Sequence, residues 1–149
     1  MFELDGLDRK LISELQKDAY RTHTELARCL GTSKTTVTRR MQRLLNNGVF
    51  RIVGVINPQK VGLGTSALIG LDVSLHNVDA VIEQLAARPE VNLITVVTGR
   101  YDIVISVTVN SAAELARFLR KEIASIDGVT ESETLLALET MKQTHYLTI

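Results

Sequence analysis

The chain has 149 residues, 45% of them apolar and 23% charged, with 17 Lys+Arg balanced by 17 Asp+Glu. That composition excludes a disordered chain and fits a soluble globular protein of one ordinary domain or two small ones. The zero net charge hides an asymmetry: residues 1–60 carry eleven basic and six acidic residues, residues 61–149 six and eleven, a pattern expected when one part faces nucleic acid and the other does not.

Met1-Phe-Glu-Leu-Asp5 is acidic where a secretory signal is basic and then apolar, and no apolar run approaches the roughly 20 residues that span a bilayer, so the expected compartment is the cytoplasm. Leu4, Leu7, Leu11, Ile12 and Leu15 recur at helical spacing, with Asp5 and Asp8 near the positive end of the dipole. Asp18–Arg21 interrupts the pattern. Thr24 then precedes Leu26, Ala27 and Leu30, a short helix that Gly31 closes as a C′ residue. Cys29, the single cysteine, lies on that helix and is expected to be a small buried or half-buried residue, with no disulfide and no thiolate metal cluster. Ser33 caps a third helix whose stripe is Val37, Met41, Leu44 and Leu45 and which Asn46-Asn47-Gly48 ends. Val49–Ile56 is rich in β-branched residues and reads as a β segment before the Asn57-Pro58 turn.

The period then changes. Ala67, Ile69, Leu71 and Val73 alternate with Leu68, Gly70 and Asp72, as in a strand. A helix from Asn77 to about Arg88, strands over Val91–Thr98 and Tyr101–Val109 joined at Gly99-Arg100, a helix opened by Ser111 and Glu114 and running to about Ser125, and a last strand over Thr130–Met141 follow. The order β-α-β-β-α-β is that of a ferredoxin-like split βαβ unit, so the expected class is α+β. Its helices cover one face of the sheet. Leu68, Ile94, Val96, Val104, Leu135 and Ala137 are expected on the other, an apolar face that a second copy of the chain would bury most simply.

Between Leu26 and Leu71 there is no Asp or Glu, but there are Arg28, Lys34, Arg39, Arg40, Arg43, Arg51 and Lys60. Within it Ala27, Gly31 and Val37 have the spacing of a helix-turn-helix: a small residue where the helices cross, a left-handed residue at the turn, an apolar anchor on the second helix. With Val37, Met41 and Leu44 inward, Thr35, Arg39, Gln42 and Arg43 turn outward, and Thr36 and Thr38 flank them. These types donate to guanine edges, read adenine or bond phosphate. Lys34 and Arg40 sit nearer the core boundary, suited to reach phosphate or to pair with an acid on the first helix. The bland alternative is a helical hairpin with a solvated cationic face. His23, His76 and His145 are scattered, with no spacing for a metal pair or catalytic triad, and Gly62-Leu-Gly64 reads as linker rather than phosphate loop, so no enzyme activity, metal or cofactor is expected.

Leu4-Asp-Gly-Leu-Asp-Arg-Lys-Leu-Ile-Ser-Glu-Leu-Gln-Lys-Asp18, Glu25-Leu-Ala27, Val37-Thr-Arg-Arg-Met-Gln-Arg-Leu44, Gly48-Val49 and Gly99-Arg-Tyr-Asp102 together resemble the Lrp/AsnC family of feast/famine transcription regulators, over essentially the whole chain. Thr32, Leu45 and Phe50-Arg51 depart from the family's usual residues and touch linker packing rather than the DNA-facing set. The resemblance implies a winged-type helix-turn-helix domain (1–48), a β linker (49–65) and a ligand-binding, dimerising ferredoxin-like domain (66–149). It also implies double-stranded DNA at promoter sites as a partner, and dimers that assemble further, often to octamers. The DNA-contacting set it implies is Ser33, Lys34, Thr35, Thr36, Thr38, Arg39, Arg40, Gln42 and Arg43. The Gly-x-Tyr-Asp loop would lie at an amino-acid effector site, where Asp102 pairs with an α-ammonium beside Thr98, Gly99 and Tyr101, with Ser132 and Thr134 on the last strand as further candidates. Without the resemblance the same loop is a glycine turn with polar flanks. A constitutive architectural DNA binder and a ferredoxin-like small-molecule or catalytic domain are the rival functions.

Overall fold

The computed structural model describes residues 2–142 and divides the chain into two compact units, one ending at Val55 and the other spanning Ile56–Met141. Each closes its own apolar core. Among the described residues no helix is long and apolar enough to cross a membrane.

The first unit is three helices, α1 (Gly6–Lys17), α2 (His23–Leu30) and α3 (Lys34–Asn46). Each starts where a side chain supplies the acceptor that free N–H groups need. Asp5 accepts from the Leu7 and Asp8 amides while Asp8 reaches back to the Asp5 amide, a reciprocal cap. Thr22 and Glu25 form the same box at α2, two residues earlier than the sequence pattern placed the helix start, because Thr22 rather than Thr24 carries the acidic residue three positions on. Ser33 accepts from the Thr36 amide. Gly31, at φ 63°, closes α2 with bonds to the Ala27 and Arg28 carbonyls. Leu11, Ile12 and Leu15 meet Leu26, Ala27, Val37, Met41 and Leu44 in one cluster.

Two expectations fail in this unit. Cys29 is exposed, its thiol donating to Glu14 at 3.4 Å, because it lies on the side of α2 away from buried Leu26 and Ala27. Val49–Ile56 forms no strand among the described residues, and Ile52, Val53, Val55 and Ile56 stay exposed. β-branched composition favours a strand only where a neighbour accepts its hydrogen bonds, and none is described. A short 3₁₀ turn at Pro58–Val61, capped by Asn57, follows.

The second unit is β1 (Thr65–Val73), α4 (Val78–Ala86), β2 (Val91–Val96), β3 (Ile103–Val109), α5 (Ala112–Phe118), extended by a π-type turn at Leu119–Ile123, and β4 (Val129–Leu136). The antiparallel sheet has the order β2-β3-β1-β4. Its βαββαβ connectivity is the ferredoxin-like arrangement. Ala67, Ile69, Leu71, Ile103, Ile105 and Val107 form the covered face against Val81 and Leu85 of α4 and Leu115 and Phe118 of α5.

β2 corrects the sequence reading of the other face. Its register shifts between Val91 and Leu93, so that Ile94 lies opposite Ile105 and Val96 opposite Ile103. A bulge inverts the alternation downstream of it. Ile94 and Val96 therefore belong to the helix-covered side, where Ile94 packs against the core, and Leu93 and Thr95 take their place outside. Leu68, Val104 and Leu135 do lie on the open face, by pairing with Ser106, Gly70 and Leu68. Ala137 lies past the end of β4. The open face also carries Asp72, Glu131 and Glu133, so it is amphipathic rather than uniformly apolar.

Candidate nucleic-acid interface and hairpin-loop site

The buried stripe of α3 leaves Lys34, Thr35, Arg39 and Gln42 exposed, and with Thr38 these line one shallow, open depression. Among the described residues neither Lys34 nor Arg39 ion-pairs with a carboxylate. An exposed cation without an internal partner is free to neutralise phosphate or to fork onto a base edge. Ser33 and Thr36 are spent locally, their hydroxyls 2.9 Å apart in the cap of α3. Thr38 donates to the Lys34 carbonyl at 3.0 Å and meets Nδ1 of His23, the first residue of α2, at 2.9 Å.

Arg40 and Arg43 serve a different purpose. Arg40 Nη1 donates to Asp5 at 2.5 Å and to Asp8 at 2.8 Å, and Arg43 Nη2 donates to the second oxygen of Asp8. Asp8 is 0% exposed, so its carboxylate has exchanged all of its water for these two guanidinium groups and the Asp5 amide. Arg43 also stacks over Phe2, 5.1 Å from the ring centroid. The Arg40 hydrogen bond is the main reason the Asp5 carboxyl is held down to about 2, and the same bond, with the one to Asp8, raises Arg40. Pairing of Arg40 with an acid of the first helix agrees with the sequence reading. Arg43 does not: expected among the outward readers, it is instead tied back to α1. The acid-free stretch thus presents Lys34, Thr35, Thr38, Arg39 and Gln42 together, while Arg40 and Arg43 clamp α3 against the start of α1.

In the second unit the β2–β3 hairpin turns through Thr98-Gly99-Arg100, with Gly99 at φ 132°, a conformation that favours glycine. Tyr101 folds its ring over Gly70 of β1: a Cβ at residue 70 would lie 2.5 Å from the ring. A glycine inside a strand is explained here by close approach of a neighbour. The Tyr101 hydroxyl donates to Glu133 of β4, which raises the phenol above its usual range, and Arg100 reaches the same carboxylate at 2.6 Å while stacking 5.2 Å from the Tyr101 centroid. Asp102 accepts from the Val73 amide at 2.8 Å and donates its own amide to the Leu71 carbonyl, which pins the hairpin to β1.

Tyr101 and Asp102 are thus held close to Thr98 and Gly99, but Ser132 and Thr134 are not brought to them. They pair with Leu71 and Ile69, whose side chains face the helices, whereas Gly70, Tyr101 and Glu133 share the open face. Arg100, Glu133 and His23 were not singled out in the sequence. For Glu133 the signal was indirect: Gly70 leaves room for the Tyr101 ring, whose hydroxyl reaches Glu133; for His23 there was none.

The matches to protein families cover almost all of this architecture. Residues 4–45 match the AsnC-type helix-turn-helix domain and residues 66–147 the Lrp/AsnC ligand binding domain. The chain belongs to the Lrp/AsnC family. It is 38% identical over 141 residues, 94% of this chain and 89% of the other, to an uncharacterized HTH-type transcriptional regulator of Pyrococcus horikoshii. Escherichia coli AsnC superposes with a TM-score of 0.91 at 26% identity, covering 97% of this chain and 99% of that one. A Neisseria meningitidis transcriptional regulator in complex with L-Met has the same fold, with a TM-score of 0.90 at 23% identity over 97% and 96% of the two chains. This Lrp/AsnC chain is accordingly a transcription regulator of the AsnC/Lrp type, its helix-turn-helix unit followed by a four-stranded α+β unit.

Proposed function

We propose that this regulator binds specific duplex sites through α3 and answers to a free amino acid or a closely related metabolite held at the β2–β3 hairpin. The observation that carries the DNA reading is the set Lys34, Thr35, Thr38, Arg39 and Gln42, gathered on one exposed surface with its cations unpaired among the described residues. Arg39 and Gln42 supply the forked donors and paired donor–acceptor that base edges need, and Lys34 a point charge for phosphate. Family membership supports the same reading. For the effector, the support is a family domain described as ligand binding and a hairpin with polar groups on a rigid strand base. The Neisseria protein's L-Met complex indicates that a chain of this fold can hold an amino acid.

In this reading the protein works as a homodimer or a larger assembly such as an octamer, with 49–65 as linker between reader and sensor. The ligand shifts the balance between assemblies and so the spacing of paired α3 helices. Binding to the region upstream of its own coding sequence, followed across salt, tests the DNA reading: log K falling steeply with log salt is expected, and a flat response refutes it. A thermal-shift screen of free amino acids tests the sensor. A ligand at 100 times its Kd stabilises by about 2.7 kcal/mol. No shift with any amino acid would favour an effector-independent DNA binder.

A further inference from the structure

His23 lies outside the sequence-predicted contact set, yet it is the α2 side chain joined to the α3 surface. The Thr38 hydroxyl has one hydrogen, and it goes to the Lys34 carbonyl. Toward His23 the Thr38 oxygen can therefore only accept, so Nδ1 of His23 carries the proton in their 2.9 Å bond. Nε2 has no hydrogen-bond partner among the described residues. In the neutral ring with Nδ1 protonated, Nε2 offers a lone pair, which a phosphate oxygen repels. In the imidazolium, Nε2 is a charged donor, which a phosphate oxygen attracts. The first helix of a helix-turn-helix crosses the DNA backbone when the second enters the groove, which brings the start of α2 to the phosphates.

We propose that His23 contacts a DNA phosphate through Nε2–H as the imidazolium, so that duplex binding takes up a proton from solvent at this residue. The inference rests on the DNA-binding reading of α3. The charged groups around His23 are few. Arg21 and Glu25 flank it on its own segment, Arg21 held by Glu14 of α1 and Glu25 by the Thr22 amide. Lys17 of α1 is held by the same Glu14. From α3 the neighbours of Thr38 are Lys34 and Arg39, both cationic. Both carboxylates among them are engaged elsewhere, Glu14 by Lys17 and Arg21 and Glu25 by the Thr22 amide and hydroxyl, and neither is bonded to His23, so Nε2 is left for a phosphate. Imidazole titrates near pH 6.5 in general, within the range where this exchange is measurable.

The experiment uses the full chain and the duplex from upstream of its coding sequence, with affinity read by fluorescence anisotropy near pH 6 and near pH 8 at fixed ionic strength. The affinity near pH 6 should exceed that near pH 8 several-fold, about sixfold if the bound imidazole is held one pH unit above its free value, with about tenfold as the ceiling for that difference. Titration calorimetry in two buffers of different ionisation enthalpy should report proton uptake. His23→Gln, which retains an amide donor but does not titrate, should remove both signatures, and His23→Asn, which can keep the bond to Thr38, should also remove them. His76→Gln and His145→Gln should leave both in place. Equal wild-type affinity at the two pH values, or pH dependence surviving in His23→Gln, overturns the assignment. Absence of DNA binding by the wild type at low salt and either pH overturns the underlying DNA reading as well.

Discussion

Replacing Asp8 by alanine removes a carboxylate that no water touches and leaves two guanidinium groups of α3 without it. Removing one partner of a buried ion pair costs about 3–5 kcal/mol, because the remaining charge is stranded. Arg43 is 42% exposed in its side chain and can turn to water, and Arg40 keeps Asp5, so the lower end of that range, about 3 kcal/mol, applies to the pair. Loss of the reciprocal cap at α1 adds about 1 kcal/mol. Arg40→Met is the harsher change, since it leaves the fully buried carboxylate with Arg43 as its one remaining cation. The double variant Asp8→Leu, Arg40→Met should recover much of the loss, because apolar replacement of a buried pair is often near neutral. Urea unfolding of the full chain followed by far-UV circular dichroism measures the wild type, the singles Asp8→Ala, Asp8→Leu and Arg40→Met, and the double variant, with m expected to stay constant. An Asp8→Ala cost below about 1 kcal/mol, or a double variant as unstable as the sum of the singles, would refute the clamp.

Acid should uncover a second feature of that clamp. Asp5 titrates at about 2 in the folded protein against an ordinary value of 3.8, so its pairing contributes stability above pH 3.8 that is lost as pH falls through 2; Asp5→Asn should be less stable than wild type at neutral pH, and the gap should close below pH 2. Gly70→Ala drives a methyl into the Tyr101 ring and should cost about 1–3 kcal/mol in unfolding free energy, with Tyr101→Ala in the same chain relieving part of it. Arg39→Ala should lose about 1–3 kcal/mol of DNA affinity and relax preference at one base position in a selection assay, whereas Lys34→Ala should weaken all sequences alike and lower the salt slope by about one.

The elements legible in the sequence were those whose cause is local. Ser33 as a cap, Gly31 as a left-handed stop and the Ala67–Val73 alternation each depend on residues within a few positions, and each stands in the structure. The inward stripe of α3 was equally legible at Val37, Met41 and Leu44, but Leu45, read as its fourth member, is exposed. What failed depended on partners distant in sequence. The choice of Arg43 to turn back is made by Asp8, 35 residues earlier, and a helical wheel contains no α1. The phase of β2 is set by a register shift against β3, which periodicity cannot see when Leu93, Ile94, Val96 and Val97 are all apolar. Ser132 and Thr134 failed as companions of Tyr101 for a related reason: strand alternation sends them to the covered face, and Glu133 between them reaches the ring.

That register shift in β2 has a bearing on assembly. With Ile94 turned toward the helices and Val96 opposite Ile103 at the exposed end of β2, the open face keeps a narrow band of leucines at 68, 93 and 135, with the carboxylates of Asp72 and Glu131 further along it. Two copies joined across this band bring like charges together at its margins. Added electrolyte screens that repulsion, so the self-association proposed above, if it runs through the sheet, is expected to tighten with ionic strength. The grip of α3 on a polyanion loosens under the same change. The two proposed contacts are therefore expected to respond to ionic strength in opposite directions.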